Sequence, residues 1–397
     1  MSALRDAASL DSSGTVWDSL VGQRRAVEVL STAAAGQGMS HAFLFTGPPG
    51  SGRSNAAVAF AAALQCESEP RGCGTCHACH TVLAGSHADV AVIRTERLSI
   101  GVNEVRDLVR RSALAPVGRH WQIVIVEDAD RLTEGACNAL LKAIEEPTER
   151  TVWMLCAPTV EDVLPTIRSR CRLVTLSTPS PDAVADFLRR RDGVSEALAS
   201  YAARASQGHI GRARALARDE DTRNRRREVV AIPTQLTSLG ACMGKAATLT
   251  EVTKAEADAI TSELDAREKA DLDAAYGVVE RGRRPREYAP ALRDLEKDQK
   301  TRAKRRHLDV VDRGLMDLVS VYRDAIAVST GATGALVNEE IRPEIERLAR
   351  TGTPEVQLRR IAAIFEAREQ MLEFNVQPAL ALESMMLALV APEVRRG

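Results

Sequence analysis

The stretch Gly47-Pro48-Pro49-Gly50-Ser51-Gly52-Arg53-Ser54 constrains this chain more than any other. It follows an apolar run, Ala42-Phe43-Leu44-Phe45, and leads into an alanine-rich segment in which Ala57, Phe60, Ala61 and Leu64 recur at helical spacing. Strand, glycine-rich turn and helix in that order make a phosphate-binding loop. The glycines let backbone N–H groups turn inward around an anion, and the helix adds the positive end of its dipole. The pattern G-x-x-x-x-G-K-[ST] is met at every position but the lysine, where Arg53 stands. A guanidinium is planar, forked and bulkier than an ammonium, so phosphate binding survives the exchange more easily than hydrolysis does. A glycine-rich turn that holds no ligand is the plainer alternative.

With 397 residues the chain has room for two or three domains. Its 45% hydrophobic content supports packed cores, while 3% aromatics and abundant alanine and leucine favour helices. One α/β unit around the loop, with mostly helices elsewhere, is therefore expected. A formal charge of −1 carries no global signature of a nucleic-acid binder and leaves room only for a local basic face. No run approaches 18 uncharged apolar residues, and Met1 to Asp6 lacks a secretory layout, which predicts a soluble cytoplasmic protein. The first dozen residues are small and polar and are expected to be disordered.

Four of the eight cysteines, Cys66, Cys73, Cys76 and Cys79, fall within fourteen residues. In a large intracellular chain that pattern reads as metal ligation rather than disulfides. Thiolates at spacings of three turn onto one ion, and four close the tetrahedral shell of a structural Zn²⁺ site. Cys66 is the choice for the fourth ligand, with His77 and His80 as competitors. A catalytic zinc would keep an open position and recruit His or carboxylate.

Asp89 to Ile93 reads as a buried strand and Val102 to Leu114 as an amphipathic helix. Gln122 to Val126 then runs straight into Glu127-Asp128-Ala129-Asp130, as a parallel strand does when its C-terminal edge delivers carboxylates to a ligand. Glu127 and Asp128 are the candidates for Mg²⁺ and water, unless they merely solvate a strand end. A helix from Ala136 to Glu146 stops at Pro147, and strands follow at Thr151 to Cys156 and Leu173 to Leu176. Strands alternating with crossover helices give a parallel sheet covered on both faces. Thr178 to Pro181 marks a boundary, short helices run to about Arg218, and long helices follow from about Asn224. Glu251 to Tyr276 reads as a solvated helical arm. The basic run Leu295 to Arg306 reads as a solvated face, with contact to DNA phosphates as the sharper alternative.

Together these residues resemble the clamp-loader subunits of bacterial DNA polymerase III, within the AAA+ ATPases. The resemblance rests on Val21-Gly22-Gln23, His41 to Phe45 with the loop, and the cysteine insertion after its helix. Asn138 to Lys142, Glu145-Glu146-Pro147, Ser169-Arg170-Cys171 and Asn375 to Glu383 add to it. It is weak between about 225 and 370. It implies an AAA+ nucleotide-binding-like domain over 1–177 with a zinc module at 66–79, a helical lid over 178–222, and a helical collar over 223–397. By the same resemblance Val21 joins Gly47, Pro49, Gly50, Ser51, Gly52, Arg53, Ser54, Glu127 and Asp128 as nucleotide-site positions.

Motor members of that family carry the loop lysine, an Asp-Glu pair at the acidic strand end and a sensing arginine at the lid. This chain has Arg53, the reversed Glu127-Asp128, and Gly211 at the sensing position with Arg212 beside it. The second polar sensor falls near Pro158 and Thr159. Ser169-Arg170-Cys171 is intact. The combination resembles the non-motor branch, which turns over little or no ATP and offers an arginine, here Arg170, in trans to a neighbouring motor; ATP and Mg²⁺ would be bound here only weakly. The partners implied are the gamma/tau motor subunits and delta in a pentameric ring, the sliding clamp and primed DNA. A working motor subunit and a nucleic-acid-binding zinc protein without nucleotide chemistry are the competing readings.

Overall fold

The computed structural model describes residues 14–95, 99–118, 120–278 and 285–390, so the expectation of disorder in the first dozen lies outside the described residues. The chain divides into two compact units, 1–218 and 219–397.

The first unit is built on five parallel strands: β1 (Ala42–Thr46), β2 (Val90–Ile93), β3 (Gln122–Val126), β4 (Thr151–Ala157) and β5 (Arg172–Thr175), ordered β2-β3-β4-β1-β5. Side chains alternate between faces, and both faces are apolar, as a sheet covered on both sides requires. Phe43, Phe45, Ile123, Ile125, Val152 and Met154 meet α1 (Arg24–Ala34) and α2 (Arg53–Gln65) on one face. Ala42, Leu44, Val124, Val126, Trp153 and Leu155 meet α3 (Val102–Ser112) and α4 (Glu134–Glu145) on the other. Alanines make α2 narrow enough to be buried nearly all round, with Phe60 edge-on to Phe43 at 4.9 Å between ring centres.

After β5 come three short helices, Pro181–Asp192, Glu196–Ser206 and Ile210–Arg218, closed over Val184, Leu188, Ala202, Ala203 and Leu216. Arg214 grips Asp192 through two 2.9 Å hydrogen bonds, a bidentate pair in a nearly dry setting.

The second unit is all helical among the described residues. Its core gathers Val230, Leu249, Val311, Leu315, Leu318, Tyr322, Ile364, Leu382, Met385 and Met386. A buried polar cluster runs through it. Arg226 reaches Glu340 at 2.7 Å, Asp317 at 3.3 Å and the side chain of Asn338, whose amide donates to Ser320 and Asp324. Its longest elements, Leu239–Ala275 and Tyr288–Ser329, pack on each other as a helical hairpin. The solvated arm and basic face expected from sequence hold on the outer side, where Lys297, Lys300 and Lys304 are exposed, but the inner side of each helix is taken into the seam. Ala257 and Thr261 are buried in the seam, and Arg302 is 6% exposed, held by Asp265 and by Glu268 at 2.9 Å. A cation opposite two acids on a facing helix finds its partners inside the hairpin rather than in water.

Candidate functional site

The glycine-rich loop leaves β1 at Thr46 and enters α2 at Arg53. Gly50 and Gly52 hold left-handed backbone (φ 84° and 90°), as an inward-turning loop demands. At Gly50 a Cβ would also stand 2.6 Å from the His209 side chain, so the helical segment after β5 closes directly on the loop. The amide of Gln23 acts as a clamp. It donates to the carbonyls of Ser51 (3.2 Å) and Ser177 (2.7 Å), while its oxygen accepts from the Ser177 N–H (3.1 Å). Val21, two residues earlier, is buried beside this clamp and anchors the approach to it.

Arg53 turns inward. Its Nη1 donates to the carbonyl of Gly47, the first residue of the loop. Burial lowers its pKa, opposed by the nearby Cys156, Asp130, Asp128 and Asp162, and a guanidinium in such company stays charged. Ser54 follows on the first turn of α2, and Ser51 Oγ is buried without a hydrogen-bond partner among the described residues. Glu127 and Asp128 sit where the sequence places them, past the end of β3, but Glu127 pairs with Arg94 at 3.6 Å. Burial pushes the Glu127 carboxyl above its ordinary range, with Arg94 working against it. Thr159 is taken up by Asp162, which accepts from both its N–H and its hydroxyl at 2.8 Å. Arg212 donates its N–H to His209 Nδ1.

The structure thus brings the loop, Arg53 and the acids together. The cation that should meet a phosphate instead donates to the loop's own Gly47 carbonyl, with Asp128, Asp130 and Asp162 in its electrostatic surroundings. These residues fit a nucleotide poorly. Sequence reasoning missed Gln23 as a clamp, His209 and Arg94; only the place of Gln23 in Val21-Gly22-Gln23 offered a local signal.

The cysteines fit a metal far better. The sulfurs of Cys66, Cys73, Cys76 and Cys79 all lie within 4.8 Å of one another. Cys66 is delivered by the end of α2, and the other three by the turn and short helix that follow. Backbone N–H groups of Cys73, Cys76 and Cys79 point at Cys66, Cys73 and Cys76 sulfurs at 3.5, 3.3 and 3.4 Å, the pattern that suits thiolates. At Cys73 burial works upward on the pKa, but the N–H of Cys76 and the Thr75 donors outweigh it and bring the thiol down to about 5. His77 and His80 are exposed and outside the cluster.

Arg170 lies at the other edge of the sheet. Register pairs Arg172 with Phe43 and Thr175 with Thr46, so Arg170 precedes the strands while the loop follows them. The separation along the strands is roughly 20 Å, well beyond the reach of an arginine. Its Nη2 meets Glu145 at 2.6 Å, and its Nη1 donates to the Thr166 carbonyl at 2.7 Å and to Ser169 Oγ at 3.2 Å. Arg170 thus has a carboxylate partner on its own chain.

Among known families, the model described as "DNA polymerase III, delta subunit" matches residues 22–180, and "DNA polymerase III, delta subunit, C terminal" matches 312–390. A DNA polymerase III subunit delta-prime of Bacillus subtilis is 29% identical over 52% of this chain and 63% of its own length. That of Escherichia coli is 35% identical over 48% of this chain and 58% of its own. The DNA polymerase III subunit tau of Bacillus subtilis is 33% identical over 47% of this chain but only 35% of its own length. The match thus spans about a third of the tau relative and somewhat over half of the delta-prime relatives. No helix among the described residues is long and apolar enough to cross a membrane. With two matched segments described as DNA polymerase III delta subunit and several delta-prime relatives at 29–35% identity, the chain is similar to the delta-type subunits of bacterial DNA polymerase III.

Proposed function

We propose that this chain is a clamp-loader subunit that assembles with gamma/tau-type motors and delta and takes part in placing a sliding clamp on primed DNA. In this reading the first unit is an AAA+ domain with its lid, and the second is the collar. The observation that carries it is the placement of two arginines. Arg53 fills this chain's own loop from within, whereas Arg170 stands at the opposite sheet edge, aimed away from that loop and 39% exposed. A chain with a self-occupied site and an outward arginine is suited to act on a neighbour's nucleotide.

The Cys66, Cys73, Cys76 and Cys79 set would hold one structural Zn²⁺, since four sulfurs complete a tetrahedral shell and leave no position for substrate. The metal would tie the segment after α2 to the sheet. The collar reading draws on exposed apolar residues of the second unit. Leu358, Phe365 and Leu372 recur every seven residues on one helix, and Leu380 and Leu387 repeat the interval on the next. Such unpaired stripes suit helix-to-helix packing between subunits.

Similarity to tau over 47% of the chain supports the motor reading as well. Purified chain assayed with ATP and primed DNA separates the two: turnover should stay at background. Robust hydrolysis that disappears on Ser54→Ala would instead make this a motor.

A further inference from the structure

Glu145 is the last residue of α4, where helix carbonyls without intrahelical partners already make the surroundings negative. A carboxylate there is disfavoured unless a cation joins it. Arg170 lies just beyond the C-terminus of a second short helix, Pro165–Arg168, and takes the Thr166 carbonyl of that helix as an acceptor. Two helix C-termini and one carboxylate therefore converge on a single guanidinium. Both side chains stay accessible, Arg170 at 39% and Glu145 at 45% exposure, so water and an incoming anion can reach the pair. A buried pair would resist opening, while one this exposed exchanges partners at small cost.

We propose that Glu145 is the resting partner of Arg170, a carboxylate that keeps the guanidinium turned back on its own subunit until a nucleotide phosphate on the neighbouring subunit displaces it. This rests on the in-trans reading of Arg170. With Nη2 on Glu145 and Nη1 on Thr166 and Ser169, three of the five guanidinium donors are engaged, and the Nε and second Nη2 hydrogens lie on the side next to the Glu145 carboxylate. A phosphate that takes those donors would sit against a like charge, so its engagement competes with the Glu145 contact. Glu145 is a positioning residue that sets how often Arg170 is available, and it never meets the reacting atoms. The consequence is a brake on hydrolysis in the idle assembly.

The test uses complexes reconstituted from motor subunits, delta and this chain, with ATP hydrolysis measured in the absence of DNA and clamp at low and high salt. Glu145→Gln keeps the shape of the side chain and removes its charge. The idle rate should rise about two- to five-fold at low salt, the range an exposed ion pair spans. The excess should fade as salt screens the wild-type pair. Glu145→Asp, with its charge kept and its reach shortened, should fall between the two. The double variant Glu145→Gln with Arg170→Ala should be as slow as Arg170→Ala alone. An idle rate equal to or below wild type for Glu145→Gln, with Arg170→Ala slow, would overturn the resting-partner role and leave the in-trans arginine standing. Wild-type hydrolysis by Arg170→Ala complexes would remove both.

Discussion

Arg53 and Arg170 stand at opposite edges of the same five-stranded sheet, and the chain uses them in opposite ways. Arg53 is drawn inward at the C-terminal edge, where its guanidinium satisfies the carbonyl of Gly47 among Asp128, Asp130 and Asp162. Arg170 is held outside the N-terminal edge by contacts that solvent can reach. One cation completes a fold and the other stays available. The difference is that the loop retains its glycines and left-handed turns while its arginine lies against the loop's own Gly47 carbonyl, whereas the second arginine is held where solvent reaches it.

The strongest way to break that contrast is Arg170→Ala in a reconstituted complex. Folding and assembly should persist, while hydrolysis at the neighbouring site falls about a thousand-fold, or about 4 kcal/mol of barrier. Arg170→Lys should also be impaired, because an ammonium lacks the fork. Next in size is the metal. Elemental analysis should give about one zinc per chain, and Cys76→Ser or Cys66→Ser should lose it and destabilise the first unit by at least about 3 kcal/mol in thermal unfolding. Full zinc content after Cys66→Ser would mean the fourth ligand lies elsewhere.

A smaller effect is expected at the inward arginine. Arg53→Lys should tighten nucleotide binding about tenfold, read by fluorescent-nucleotide titration, with turnover still near background. The smallest change concerns Glu127. Its folded-state pKa is raised by burial, so the ionised form is disfavoured in the native chain once pH exceeds that pKa. Glu127→Gln should raise the melting temperature by a few degrees at neutral pH, less whatever the Arg94 contact returns. The gain should vanish as pH falls through the folded pKa toward the ordinary value. A gain that persists in acid would assign the effect to packing.

The layout of the first unit was legible because its signals are local. Ala42 to Phe45 before the glycines and the three-residue spacing of Cys73, Cys76 and Cys79 each determine nearby backbone, and Cys66 follows once α2 ends beside them. What escaped depends on pairs far apart in sequence. Gln23 meets Ser177 across 154 positions, and Arg302 meets Asp265 across 37. The inward turn of Arg53 is a side-chain conformation, which a motif spacing does not record. Periodicity reports which face of a helix is apolar, and it carries no record of which acid will stand opposite an arginine.

The seam of the long hairpin has a mechanical consequence. Apolar seams of similar residues slide at modest cost, because one buried methyl group replaces another. In this hairpin Thr253 touches His307 at 3.3 Å, Gln299 donates to the Asp265 carbonyl at 3.1 Å, and Tyr288 donates to Asp273 at 2.6 Å, on either side of Arg302. A slip of one helical turn, about 5.4 Å, would part Arg302 from at least one of Asp265 and Glu268 and break the Thr253, Gln299 and Tyr288 contacts together. The two helices are thus keyed like gear teeth, and the pair resists sliding along its seam.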